Sequence, residues 1–294
     1  PSDVNKEDLI KSVTFIPGSV YENKELLKND PGYLGNLMAL PADEQAKLLE
    51  GNWKIRTNGN DLFLHDAIKS IFSNFITDTK FRCITCDPAR FGRDFTVLFV
   101  WEGWKAVRII VMLSTDEQDT VNAIEAQRKQ FGIPKHKVLV DQDGVGGGVV
   151  ALGGYKGFQG GTAAAMDPDT GIKEFYFNLK TQCYYRAADV GNVGLAQVVA
   201  TNETVIIVDR SGMEHRSMKF KHKGKEVTIV DYITNDLRAI KKKDKDSEGK
   251  KRINSKEEQK AILKRSPDFG DNFCMRAWFD LNFIDDDYGP KRRN

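Results

Sequence analysis

A chain of 294 residues, 40% apolar and 29% charged, has the material for one large globular domain, or one domain and a smaller piece. Its formal net charge is only +2, and no stretch approaches the roughly 18 uninterrupted apolar residues of a membrane span. Together these exclude a membrane-spanning helical protein and a uniformly basic or acidic binding protein. The chain opens on Pro1-Ser2-Asp3 with neither an initiator Met nor a signal-peptide core, as expected of a fragment or a processed product.

Residues Val13 to Trp53 read as an irregular start followed by short helices, punctuated by Pro17, Gly18, Pro31 and Gly32, with a helix expected over Pro41 to Leu49. His65 to Ile76 has the stripe of an amphipathic helix, through Ile68, Ile71, Phe72 and Phe75. Residues 1–76 are therefore expected to be a linking segment and 77–294 the main domain. From Phe81 the pattern changes to strands. Phe81–Cys86, Phe95–Trp101 and Ala106–Leu113 are apolar or β-branched runs with turns short enough for antiparallel hairpins. A helix over about Asp116 to Phe131 follows, opened by the capping sequence Ser114-Thr115-Asp116-Glu117-Gln118 and stopped by Gly132 and Pro134. The fourth strand, Lys137–Val140, returns after this helix and is expected to run parallel to a neighbour.

Three antiparallel strands, a helix and a parallel strand open a ribonuclease-H-like fold, an α/β mixed sheet flanked by helices. In it the first and fourth strands lie side by side. Beyond them, strands are expected at Glu174–Phe177 and Thr204–Val208, and helices at Thr181–Val190 and Tyr232–Ile240. A last helix is expected over Pro267–Phe279, with Ser266 as N-cap, Pro267 at the first helical position and Asp268 in the first turn.

The first strand delivers Asp87 at its end and the fourth delivers Asp141, so this order brings two carboxylates to one sheet edge. Asp268 and Asp271, three apart at the start of the last helix, share a face and offer a third. Carboxylate clusters of this kind hold hard divalent cations. Two Mg²⁺ or Mn²⁺ ions about 4 Å apart can activate water, stabilise a scissile phosphate and assist the leaving oxygen. Asp268 is equally suited to the helix dipole, Asp94 to starting a strand or closing a turn, and Asp143 to a turn ahead of Gly144.

Other chemistries lack their residues. The run Gly144–Gly148 has no Gly-Lys-Ser/Thr ending and the wrong spacing for a dinucleotide turn, so its glycines are read as allowing close backbone approach to metal or phosphate. Four scattered histidines form no triad with a Ser or Cys. Cys83 and Cys86 sit on a strand, pointing to opposite faces, and with Cys183 and Cys274 are read as reduced, buried thiols. Charge is uneven: residues 214–265 carry seventeen Lys/Arg against nine Asp/Glu, which suits a polyanionic substrate. Lys180, Arg186 and Lys219–Lys223 are candidate phosphate contacts, and Lys241–Arg252 reads as a solvated loop or one that faces DNA.

Four ordered motifs carry a family resemblance: Asp87-Pro88-Ala89-Arg90-Phe91-Gly92-Arg93-Asp94, Val140-Asp141-Gln142-Asp143-Gly144-Val145-Gly146, Phe177-Asn178-Leu179-Lys180-Thr181-Gln182 and Ser266-Pro267-Asp268-Phe269-Gly270-Asp271. With Phe15-Ile16-Pro17, Asn29-Asp30-Pro31-Gly32-Tyr33 and Leu49-Glu50-Gly51-Asn52-Trp53 upstream, the chain resembles the C-terminal nuclease part of the large terminase subunit of tailed bacteriophages. The resemblance implies an endonuclease that cuts concatemeric double-stranded viral DNA during genome packaging, in the cytoplasm of the infected bacterial host. It places metal ligation on Asp87, Asp141 and Asp271, with Asp268 and Asp94 as neighbours, and Mg²⁺ or Mn²⁺ as the metal. Implied partners are DNA, an ATPase domain whose Walker motifs this sequence lacks, the small terminase subunit and the portal or procapsid. A junction-resolvase-type nuclease of the same fold and a non-catalytic DNA- or portal-docking module are the competing readings.

Overall fold

The computed structural model describes residues 19–38, 48–49, 59–77, 79–89, 95–167, 171–172 and 174–282. The chain divides into two compact units, Pro1–Gly59 and Asn60–Asn294. In the first, two short helices, α1 (Lys24–Asn29) and α2 (Pro31–Met38), follow one another, and the Asn23 side chain caps α1 by accepting from the Leu26 amide. Most of the helix expected over Pro41 to Leu49 lies outside the described residues.

The second unit begins earlier than residue 77. Leu62, Phe63, Ile68 and Ile71 are buried in its main core, so helix α3 (His65–Ser70) belongs with the larger unit. This helix is shorter than its apolar stripe suggested, and Phe75 beyond it is exposed.

An eight-stranded mixed sheet forms the body. Its strands are β1 (Arg82–Asp87), β2 (Thr96–Glu102), β3 (Lys105–Met112), β4 (Val138–Asp141), β5 (Lys156–Phe158), β6 (Gln197–Val198), β7 (Val205–Val208) and β8 (Glu214–Arg216). The order is β5-β4-β1-β2-β3-β7-β8, with β6 paired beside β3. β1, β2 and β3 are antiparallel neighbours, and β4 runs parallel to β1 with Thr85 opposite Leu139 and Cys86 opposite Val140. This is the ribonuclease-H-like arrangement expected from the element order.

Each face of the sheet is covered. On one face, α4 (Glu117–Phe131) and α5 (Gly146–Gly153) bury Val121, Ile124 and Val149 against Ile84, Leu98 and Val140. α4 is fixed at its start by a reciprocal capping box between Asp116 and Asp119, and at its end by Gly132 in the left-handed conformation. On the other face, α6 (Leu179–Asn192), α7 (Ile229–Ala239) and α9 (Asp268–Asn282) pack Tyr184, Ile233, Phe269 and Phe273 onto Phe99 and Trp101. Cys83 and Cys86 fall on opposite faces, and all four cysteines are free and buried.

Two small hairpins complete the unit: β9 (Lys219–His222) with β10 (Lys225–Thr228), and β11 (Lys242–Lys243) with β12 (Arg252–Ile253). A helix α8 (Lys256–Leu263) follows the second. The strand expected at Glu174–Phe177 reduces to a single bridge, Tyr176 to Lys251, because that segment pairs only with the end of the hairpin. Among the described residues no helix is long and apolar enough to cross a membrane.

Candidate metal centre

β1 and β4 are side by side because both are short apolar runs that the two helical layers can cover completely. Each ends in an acid at the same sheet edge. α9 crosses beneath, and Asp87, Asp141 and Asp271 each present an oxygen within 4.8 Å of the others. Asp271 and Asp141 are buried, at 2% and 6% exposure, and Asp87 is partly exposed. A buried carboxylate needs a partner, so the placement of these three calls for specific neighbours.

A buried polar network seats α9. Thr85 on β1 donates to Asn272 Oδ1 at 2.6 Å, and Trp101 Nε1 donates to Thr85 Oγ1 at 2.9 Å. Asn272 Nδ2 donates to the carbonyls of Val97 and Asp268, so α9 is tied to the central strands β1 and β2 one residue from Asp271. The start of the helix is held from outside: Asp236 on α7 accepts from the Phe269 and Gly270 amides with Oδ2. Its other oxygen pairs with Arg265 at 2.6 Å, and the guanidinium lies over the Tyr232 ring. Burial pushes the Asp236 carboxyl up to about 6 against the pull of Arg265. Asp236 therefore supplies the acceptor expected of Ser266, with the added charge of a carboxylate at the positive helix end.

Asp271 is oriented by two donors on one oxygen. Tyr184 Oη donates to Oδ1 at 2.6 Å and Lys180 Nζ lies 2.7 Å from the same atom. Burial lowers the Lys180 ammonium, yet Asp271 beside it holds it above its usual range. Oδ2 of Asp271 is buried with no hydrogen-bond partner. Asp141 accepts the Asp143 amide at 3.1 Å. Burial, then Asp268, Asp141 and Asp271, push the Asp87 carboxyl well above its ordinary 3.8, with Lys256 pulling it down. Burial also raises Asp141, opposed chiefly by Lys180.

Three crowded carboxylates, one of them with a buried oxygen that has no hydrogen-bond partner, form an all-oxygen donor set short of positive charge. That set fits a hard divalent cation such as Mg²⁺ or Mn²⁺. Close backbone packing shapes the cradle: a Cβ on Gly146 would come within 1.6 Å of the Asp141 carbonyl oxygen. Gly146 is thus needed where the first turn of α5 presses on the strand that carries Asp141.

The expected site residues are distributed as follows. Asp87, Asp141 and Asp271 converge; Asp268, 4% exposed, acts electrostatically on Asp87 from the first turn of α9; Asp94 lies outside the described residues. Asp143 is exposed and serves Asp141 through its amide. Lys180, read from sequence as a phosphate contact, is turned inward onto Asp271. Arg186 faces Asp167 and Lys219 faces Glu226.

A cleft of about 600 Å³ opens beside the carboxylates, and Lys180, Lys243, Lys245, Arg252 and Lys256 are among its lining residues. Three of its walls connect to the acids: Lys180 contacts Asp271, Lys256 acts on Asp87, and the Asp143 amide binds Asp141. The Lys-rich segment is therefore neither detached nor unstructured. Asp246 closes its turn by accepting from the Glu248 and Lys250 amides.

The fold and this site define the class: a ribonuclease-H-like domain with an acidic, metal-type centre at one sheet edge. No protein-family model and no curated protein matches the sequence. Among solved structures, the chain has the fold of the nuclease domain of the large terminase subunit gp2 of bacterial virus Sf6, with 17% identity and a TM-score of 0.57 over 74% of this chain and 97% of that one. Mutant forms of the same domain, with calcium and with manganese and beta-thujaplicinol, superpose with TM-scores of 0.56 and 0.57 at 17% identity, covering 74% of this chain and 98% and 97% of theirs.

Proposed function

We propose that this chain is a divalent-metal-dependent endonuclease that cuts concatemeric double-stranded viral DNA during genome packaging. The observation that carries the reading is the convergence of Asp87, Asp141 and Asp271 against a cation-lined cleft. Calcium and manganese in the Sf6 domains support hard divalent ions as the ligand of such a cluster. Residues 1–59 are read as part of the segment joining this nuclease to an ATPase domain. The small terminase subunit and portal are its expected partners in the host cytoplasm.

Asp87, Asp141 and Asp271 would hold Mg²⁺ or Mn²⁺, which would supply an activated water and charge neutralisation at the scissile phosphate and leaving oxygen. The chain's own groups do the rest. Asp87, Asp141 and Asp271 bind through ionised oxygens. Tyr184 and Lys180 fix one oxygen of Asp271, and the other, buried and without a hydrogen-bond partner, is left over as a ligand atom. Lys256 offsets negative charge near Asp87, and the cleft cations draw the DNA backbone to the acids.

The test incubates the chain with supercoiled plasmid and Mn²⁺ or Mg²⁺, beside Asp87→Ala and Asp141→Ala. Nicking and linearisation are expected of the wild type only, and EDTA is expected to abolish both. Equal cutting by the variants removes the site assignment, and no cutting with either metal favours a docking module.

A further inference from the structure

We propose that the cleft beside the carboxylates is a track for a single DNA strand, on which Phe177 serves as the stacking platform for an unpaired base. This rests on the reading of the neighbouring site as one that acts on DNA, and it specifies that the cleft holds one strand of the double-stranded substrate where that strand is locally unpaired.

The cleft combines two features that a duplex would not use together. Cations exceed acids in its lining: setting aside Lys180, paired with Asp271, and Lys243, paired with Glu258, it holds Lys245, Arg252 and Lys256 against Asp143 and Asp244. Among these cations stands a large apolar ring. Phe177 lines the cleft yet is 52% exposed, and the Arg252 guanidinium lies 4.8 Å from its centroid. An exposed aromatic carrying an arginine in a basic groove is the combination that holds single strands, with cations following the phosphates and the ring taking a base face. In a duplex the bases are already paired and stacked, and only phosphates would meet the cleft.

The platform is built into the fold. The Phe177 amide donates to the Lys251 carbonyl at 3.0 Å, and the Lys251 amide donates to the Phe175 carbonyl at 2.7 Å. The Lys251 ammonium sits over the Tyr176 and Tyr185 rings at 5.0 and 5.4 Å, which locks the hairpin to the segment that presents Phe177. The volume, about 600 Å³, is in the range of pockets that hold small ligands, about 300–1,000 Å³, rather than of a surface that embraces a double helix. Lys180 lines the same cleft and contacts Asp271 at 2.7 Å, so the track ends at the carboxylates.

The experiment measures fluorescence anisotropy of a labelled single strand of about 12 nucleotides, and of a hairpin-closed duplex of the same sequence, in EDTA. The wild type is expected to bind the single strand more tightly. Phe177→Ala should weaken that binding about tenfold, in line with the loss of one base–aromatic stack, and Phe177→Tyr should restore it. Lys245→Ala with Lys256→Ala should reduce the salt dependence by about 0.7 per lost contact. Equal affinity for the two DNAs, or single-strand binding unmoved by Phe177→Ala, overturns the proposal. Because EDTA removes the chemistry, the two readings fail separately. Phe177-dependent binding without plasmid nicking keeps the track and loses the nuclease; nicking with Phe177-independent binding does the reverse.

Discussion

The Tyr184 hydroxyl donates to the same oxygen of Asp271 that faces the Lys180 ammonium, at 2.6 Å and 2.7 Å. One carboxylate oxygen is thereby committed to the protein, and the other is buried and without a hydrogen-bond partner. Such outer partners fix the orientation of a ligand, and their loss typically costs ten- to a hundredfold in metal affinity. Tyr184→Phe is therefore expected to weaken Mn²⁺ binding about tenfold, read from the Mn²⁺ concentration needed to raise the melting temperature. An unchanged Mn²⁺ dependence would remove Tyr184 from this role.

The pH dependence of stability follows from the raised carboxyls. Asp87 and Asp141 keep protons in the folded chain at pH values where the unfolded chain has lost them. The folded state then binds more protons, so this pair's contribution to stability falls as pH rises from about 4 through their folded values. Asp87→Asn should gain stability relative to wild type across that window in metal-free buffer. Mn²⁺ requires ionised ligands, so its stabilising shift should grow with pH. Melting temperatures at about pH 5 and about pH 8, with and without Mn²⁺, check both; a pH-independent metal shift would contradict them.

Asp236 joins a buried ion pair to the capping of α9. Removing one partner of such a pair leaves an uncompensated charge and costs about 3–5 kcal/mol; Arg265 and Asp236 side chains are 8% and 0% exposed. Asp236→Ala should lose about that much in urea unfolding, whereas Asp236→Asn keeps an acceptor for the Phe269 and Gly270 amides and should lose less. Equal losses would show that the charge, not the cap, dominates.

Gly146 allows α5 to start against the Asp141 backbone. A methyl group 1.6 Å from a carbonyl oxygen cannot be accommodated without displacing β4. Gly146→Ala should destabilise by about 1–3 kcal/mol, as overpacking does, and weaken Mn²⁺ binding as well. Gly147→Ala, whose nearest neighbour would be 3.9 Å away, is the control expected to change little.

What could be read in the sequence was local. The apolar runs ending in Asp87 and Asp141, and the helix after the third strand, specify the β1–β4 pairing because a buried parallel strand needs a crossover. The face shared by Asp268 and Asp271 is likewise a property of helical spacing. What could not be read depended on distant partners. Asp236 caps α9 from 33 residues upstream of Phe269, and nothing near Ser266 announces it. Lys180 resembles any solvated lysine until Asp271 is folded onto it. Residues 174–177 have strand composition, yet only Tyr176 finds a bridging partner. The lysines of 241–252 read as a loop, solvated or facing DNA, because charge alone says nothing of the hairpin that places Lys243 and Arg252 along the cleft.

Thr85 and Asn272 meet across 187 residues of sequence. The centre thus joins the acids of β1 and β4 to one carried by the last described helix. During synthesis the chain carries Asp87 and Asp141 long before Asp271 exists, and the set of three closes only when α9 docks on its polar seat. A partly made chain therefore holds two of the three acids and lacks the third side of the cluster.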